Sequence, residues 1–180
     1  MIDRILQCFH QSDYDFRANA YPHDELRHLF PSWVEYYRMK AAIAEALQPA
    51  SILEIGVRYG YSGAAFLHGA HTTYYTGLDA DKISFGGAKG AFEWARKTLP
   101  SSQSELILTN TQCLDRFPGG GNMILFILMV SKMGTAHTMT WRKPSDRENT
   151  SLLTVTLGRI TIFRPRMHSS RTLKMISNIA

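Results

Sequence analysis

Ser51-Ile52-Leu53-Glu54-Ile55-Gly56-Val57-Arg58-Tyr59-Gly60-Tyr61-Ser62 is the stretch that decides how this chain folds. A short apolar run carrying one acid leads straight into a turn with glycines at Gly56 and Gly60, and small residues follow. That pattern suits a central parallel strand, buried on both faces, whose chain leaves through a tight turn into a helix. Gly56 would permit the turn, and Gly60 would let the backbone approach a ligand closely, since a side chain at either place would occupy the ligand's volume. The carboxyl end of such a strand is where doubly wound sheets hold nucleotides.

The flanking sequence alternates between helix and strand. Upstream, Ser32-Trp33-Val34-Glu35 has the form of a capping box, which predicts a helix beginning at Ser32. Val34, Tyr37, Ala41 and Ala44 recur at helical spacing, with Ile43 and Leu47 widening the stripe, until Pro49 stops it. Downstream, Ser62 to His68 reads as a small-residue helix and Thr73 to Leu78 as a β-branched and aromatic strand. Ala88, Ala91, Phe92, Ala95 and Leu99 trace a further helix face closed by Pro100, and Glu105 to Thr109 supplies a third strand. The Gly86-Gly87-Ala88-Lys89-Gly90 stretch opens that helix rather than cradling a phosphate. The alternation predicts an α/β fold, a Rossmann-like, doubly wound, mostly parallel sheet with helices on both sides, incomplete after residue 121.

The second strand ends in Asp79, 23 residues after Gly56. In such sheets this places a carboxylate beside the first glycine turn, where it can accept both hydroxyls of a ribose. Ile52 to Ser62 followed by Tyr75-Thr76-Gly77-Leu78-Asp79 resembles the first two motifs of class I S-adenosylmethionine-dependent methyltransferases, and is similar to their small families with the L-E-I-G-x-x-x-G-x-S form. The resemblance covers residues 34 to 118. It implies S-adenosylmethionine as cofactor, Glu54 orienting its methionine part, Gly56 and Gly60 lining it, and Asp79 on the ribose. Many members have glycine where Arg58 stands. After the third strand the family often has an aspartate that receives the adenine amino group; here the aligned residue is Asn110, whose amide oxygen can accept the same bond. An asparagine in a plain turn is the alternative at that position.

Other chemistries fit less well. A dinucleotide-binding oxidoreductase would show G-x-G-x-x-G, but Arg58 occupies its middle glycine, and no G-x-x-x-x-G-K-[ST] phosphate loop exists. Of seven histidines only His68 and His71 lie close together, without a third ligand at a recognisable spacing, so no metal is expected. Cys8 and Cys113 form neither a disulfide framework nor a zinc motif, which with the absence of a leader pattern at Met1-Ile2-Asp3-Arg4 gives a cytoplasmic expectation. The longest apolar run, Met123 to Val130, is far short of the roughly 20 residues of a membrane span. It is instead a candidate fourth strand.

The chain divides into an amino-terminal segment (1–31) with no legible chemistry, a cofactor-binding half (32–121) and an atypical basic tail (122–180). Of the 180 residues, the first 121 hold 11 basic and 13 acidic side chains, and the rest hold 9 and 2, so the net charge of +5 resides in the tail. The tail charges are scattered and carry no nucleic-acid-binding signature, so nucleic acid is not the expected partner. Six of the eight methionines and none of the eight tyrosines lie after residue 121. The acidic strand ending expected next in such an enzyme is missing. Dropping the first two bases of the Met123 codon forces an aspartate, permits apolar-apolar-His-apolar-Asp and then forces a glycine, which restores that ending. Thr150 to Gly158 in the shifted frame permits a second Asp-Gly ending. A frameshift near Gly119 to Asn122 is the expectation; a genuine basic segment is its alternative. The methyl acceptor, the catalytic residues and the oligomeric state are not legible, and the competing functional reading is a non-catalytic remnant.

Overall fold

The computed structural model describes residues 1–82 and 87–110 and, beyond them, β-strands between Leu125 and Lys174. The expected alternation is present: β1 (Ser51–Ile55), α3 (Tyr61–Gly69), β2 (Tyr74–Asp79), α4 (Ala91–Thr98) and β3 (Ser104–Leu108). Two helices precede them, α1 (Ile2–Gln11) and α2 (Phe30–Leu47). Gly90, at φ 75°, is the residue before α4, so the glycine-rich stretch does end by opening that helix.

Ser32 is not the cap expected of it. The helix α2 begins at Phe30, and the Ser32 hydroxyl donates to the Leu29 carbonyl oxygen at 2.7 Å instead of receiving an amide. Pro31 sits in the first helical turn, where the N–H it lacks would have had no intrahelical partner. At the other end Gln48 turns left-handed (φ 44°, ψ 57°) before Pro49, and its N–H closes on the Ala44 carbonyl at 2.8 Å.

The sheet has the order β3-β2-β1-β4-β5-β6-β7-β8, with β4 (Leu125–Leu128), β5 (His137–Arg142), β6 (Thr150–Thr156), β7 (Arg159–Phe163) and β8 (Arg171–Lys174). β1 pairs in parallel with β2 on one side and β4 on the other, Ile52 standing opposite both Tyr75 and Leu125. β2 and β3 are also parallel. The order 3-2-1-4 is that of a doubly wound sheet, with its switch point at β1. The candidate fourth strand within Met123 to Val130 is therefore real, and the β-branched stretch from Ser151 to Phe163 forms the β6–β7 pair.

Past β4 every pairing among the described residues is antiparallel. Hairpin neighbours need no crossover helix; the expectation of helices on both faces falls in part on residues outside the described ones. Among the described residues, α2, α3 and the end of α4 pack on one face, that of Ile52 and Tyr75, in a core with Met39, Ile43, Phe66 and Leu99. The fold is α/β and Rossmann-like in its first four strands, with parallel winding stopping there.

The amino-terminal residues share these cores. Ile5 and Cys8 of α1 join the cluster under α2, while Tyr14 and Phe16 pack with Phe30, Tyr37 and Tyr61 in a second, aromatic one. α2 and α3 cross closely because Gly69 has no side chain: a Cβ there would lie 2.0 Å from the Ala41 carbonyl oxygen.

Candidate functional site

The glycine turn takes its shape from three residues in the left-handed region: Gly56 at φ 89°, Arg58 at 49° and Gly60 at 78°. The Gly56 N–H donates across to the Leu78 carbonyl at 2.8 Å and the Gly60 N–H to Val57 at 2.9 Å, so the turn is tied to β2 and to itself. Gly60 answers a different need from the one the sequence suggests. The volume a Cβ would fill there belongs to α4, with Ala95 Cβ at 3.0 Å and Leu99 Cδ1 at 3.3 Å, so its bareness permits helix packing.

Arg58 holds a conformation that costs an ordinary residue about 1–2 kcal/mol. Two contacts compensate. Its backbone N–H and that of Val57 both donate to Asp79 Oδ2, at 2.8 and 2.7 Å. Its guanidinium reaches Asp24, with Nη2 3.2 Å from Oδ1.

Asp79 therefore lies beside the glycine turn, as its spacing implies, but it is more engaged than expected. Besides those two amides it accepts the Asp81 N–H on Oδ1 at 2.7 Å. An ionised carboxylate offers about four lone-pair sites, which leaves room for one further donor while these bonds persist. Binding both hydroxyls of a ribose would require the Asp81 turn to give way. Asn110, half-buried, stands two residues beyond β3, whose end is joined to β2 by the Thr109 N–H donating to the Asp79 carbonyl at 2.7 Å. The turn, Asp79 and Asn110 thus gather at one edge of the sheet.

Glu54 is placed otherwise. It is fully buried beneath the turn, enclosed by α2, α3 and β2. The Tyr75 hydroxyl donates to its Oε2, and its Oε1 accepts no hydrogen bond and faces Lys40 Nζ at 3.8 Å. Burial pushes the Glu54 carboxyl up, against the opposing pull of the Lys40 charge. The same burial pushes the Lys40 ammonium down to about 8.

Sequence reasoning missed the covering of this edge. The segment between α1 and α2 folds back on the turn: the Tyr61 hydroxyl donates to Asp24 Oδ2 at 3.0 Å and accepts the Tyr21 N–H at 3.0 Å. The Tyr21 and Tyr59 rings stack at 5.0 Å, and Tyr59 stacks on Tyr61 at 5.5 Å. Alternating aromatics and acids from Tyr14 to Phe30 were the available signal, but the partners that give it meaning are 30 to 40 residues away. A cavity of about 380 Å³ also lies in this segment, between Arg17, Tyr21, Arg27 and Phe30, and no glycine-turn residue lines it. Among the described residues no cluster of histidine, cysteine and acidic side chains could hold a metal, and no helix is long and apolar enough to cross a membrane.

No protein-family model matches this chain, and no curated protein matches its sequence. Solved structures do, several of them methyltransferases. The O-methyltransferase from Bacillus cereus in complex with SAH is 20% identical over 59% of this chain and 41% of its own, with a TM-score of 0.30. The SAH-bound Podospora anserina methyltransferase PaMTH1 is 17% identical over 58% and 41%, with a TM-score of 0.32. Streptomyces venezuelae DesVI is 14% identical over 86% and 81%, with a TM-score of 0.39. The chain spans about two fifths of the length of the first two. The fold assignment rests on the strand order itself.

Proposed function

We propose that this chain binds S-adenosylmethionine at the carboxyl edge of β1, β2 and β3 and derives from an enzyme that transfers its methyl group to an acceptor. The observation that carries this is the glycine turn from Gly56 to Gly60 held by the Asp79 carboxylate at the switch point of a 3-2-1-4 sheet. The residues fit such a ligand: Asp79 retains capacity for a ribose hydroxyl, Asn110 stands at the next strand end, and Gly56, at φ 89°, lets the chain leave β1 in a tight left-handed turn. When bound, the cofactor supplies an electrophilic methyl group on a sulfonium. This chain's residues would orient it and exclude water; no group that activates an acceptor is assigned. The S-adenosylhomocysteine named with two of the solved structures supports the same ligand.

Titration calorimetry with S-adenosylmethionine, S-adenosylhomocysteine and NAD tests the reading. Binding of the first two and not the third is expected, and binding of NAD alone would replace methyl transfer with dinucleotide chemistry.

A second reading concerns this polypeptide rather than its ancestor: a cofactor-binding remnant without activity. It is favoured by the antiparallel pairing past β4, where a doubly wound enzyme would continue in parallel, and by the loss of acidic residues after residue 121. A frameshift near Gly119 to Asn122 accounts for both. Those residues lie outside the described ones, and the coding sequence is the place to test it.

A further inference from the structure

Lys40 and Glu54 are both buried, at 1% and 0% exposure. Taking an ammonium and a carboxylate out of water costs several kcal/mol per ion, and apolar replacements of such pairs are often neutral or stabilising. Stability is therefore a poor reason for Lys40 to interrupt the apolar run Met39 to Ala44. Its geometry supplies a better one. Lys40 Nζ donates to Ser62 Oγ at 2.5 Å and stands 3.8 Å from Glu54 Oε1. Glu54 lies two residues before Gly56, and Ser62 two residues after Gly60. One ammonium, reached from α2, spans both ends of the glycine turn from beneath. Tyr75 of β2 secures the other oxygen of Glu54, while the Tyr36 ring lies 4.6 Å from Nζ and fixes the lysine's approach.

We infer that Lys40 is a positioning residue for the glycine turn: it ties the strand that enters the turn to the helix that leaves it, and so sets the shape that the turn presents to a ligand. Its value for ligand binding rests on the cofactor site proposed above; its effect on the turn does not. Removing the ammonium would take away the link from α2 and leave the turn to the bonds made by Asp79, Asp24 and Leu78 and to the direct hydrogen bond between Ser62 and Glu54.

The test compares Lys40→Met with the unchanged full-length chain by amide hydrogen exchange, thermal unfolding and calorimetry with S-adenosylhomocysteine. Exchange in Val57 to Gly60 is expected to quicken about tenfold, well beyond any change in the α2 interior, while the melting temperature falls because Glu54 is left buried without its partner. Affinity for S-adenosylhomocysteine should fall about tenfold, Glu54→Gln should weaken it similarly, and the double variant should be no worse than the weaker single one, since the two side chains act as a unit. Unaltered exchange in the turn of Lys40→Met overturns the inference. If the unchanged chain binds no S-adenosylhomocysteine, the cofactor reading fails and the exchange comparison still decides the role of Lys40. Should Lys40→Met not fold, the double variant of Lys40→Met with Glu54→Gln, which leaves no unpaired buried charge, must quicken exchange in the turn for the inference to stand.

Discussion

Asp79 holds the glycine turn, and under the proposed function it also contacts the ligand. The carboxylate accepts the N–H groups of Val57, Arg58 and Asp81, so Asp79→Ala is expected to loosen the turn as well as remove a ligand contact. Hydrogen bonds to a charged group are worth about 1.5–3 kcal/mol, or roughly 10- to 150-fold in affinity for S-adenosylmethionine. Calorimetry on folded Asp79→Ala checks this, and unchanged affinity would remove Asp79 from the site. Lys40 carries a second prediction, on pH. Its folded pKa of about 8 lies below the ordinary lysine value of 10.5. Above pH 8 the unfolded chain therefore holds a proton that the folded chain has lost, and stability rises with pH in that window. The slope is at most about 1.4 kcal/mol per pH unit. The gain is opposed from about pH 9 by the Cys8 thiol and nearer pH 10 by the hydroxyls of Tyr36, Tyr37 and Tyr75, all raised by burial and so staying protonated only in the folded state. Urea unfolding at about pH 7.5 and about pH 9.5 should show a gain that Lys40→Met abolishes.

At the scale of elements, two substitutions distinguish local pattern from packing. A serine acting as helix cap loses about 0.5–2 kcal/mol when changed to alanine. Ser32 is exposed and donates to a carbonyl inside the first turn, so Ser32→Ala should leave stability within about 0.5 kcal/mol. Gly69→Ala tells the opposite story, since the new methyl group would meet the backbone of α2. Helices that cannot separate without opening the core of Ile43, Phe66 and Tyr75 make this a loss of about 1–3 kcal/mol or more, read from the same unfolding curves. The strands and helices around the turn were legible because each carries its own periodicity: β1 has the bounds its apolar run predicts, and α3 extends one residue past its reading at each end. α1 was not legible. Its buried pair, Ile5 and Cys8, is too small a stripe to stand out, and only the cover given by α2 makes it a helix worth forming.

For the whole molecule, the question is what closes the sheet. Parallel strands are stable when both faces are covered, and the described helices lie on one. Tyr74 at 45% and Leu108 at 56% exposure are large apolar side chains left at the margin of the sheet on opposite faces, whereas Leu53 and Leu78, turned away from those helices, are buried at 1% and 0%. The purified chain is expected to unfold broadly and to aggregate at low temperature relative to an intact domain of its size; a sharp cooperative transition of a monomer would contradict this. Resequencing the gene across the codons for Gly119 to Met123, then expressing a version with the frame corrected there, is expected to yield a chain that binds S-adenosylmethionine more tightly than this one. An early stop codon in the corrected frame, or equal binding, would leave the basic tail as a genuine feature.

The sequence by itself determined the βαβ core, the turn between Gly56 and Gly60, and the proximity of Asp79 to it. Each depends on contacts within one strand–helix unit, where apolar period, glycine placement and spacing carry the information directly. Tertiary structure decided what those residues do for one another. It showed Gly60 making room for Ala95, Arg58 held left-handed between Asp24 and Asp79, and Glu54 sealed against Lys40 and Tyr75. These are meetings of side chains from α2, β1, α3 and the amino-terminal segment, far apart in the chain. No local pattern records them, because the free energy that selects them is gained only when the elements pack.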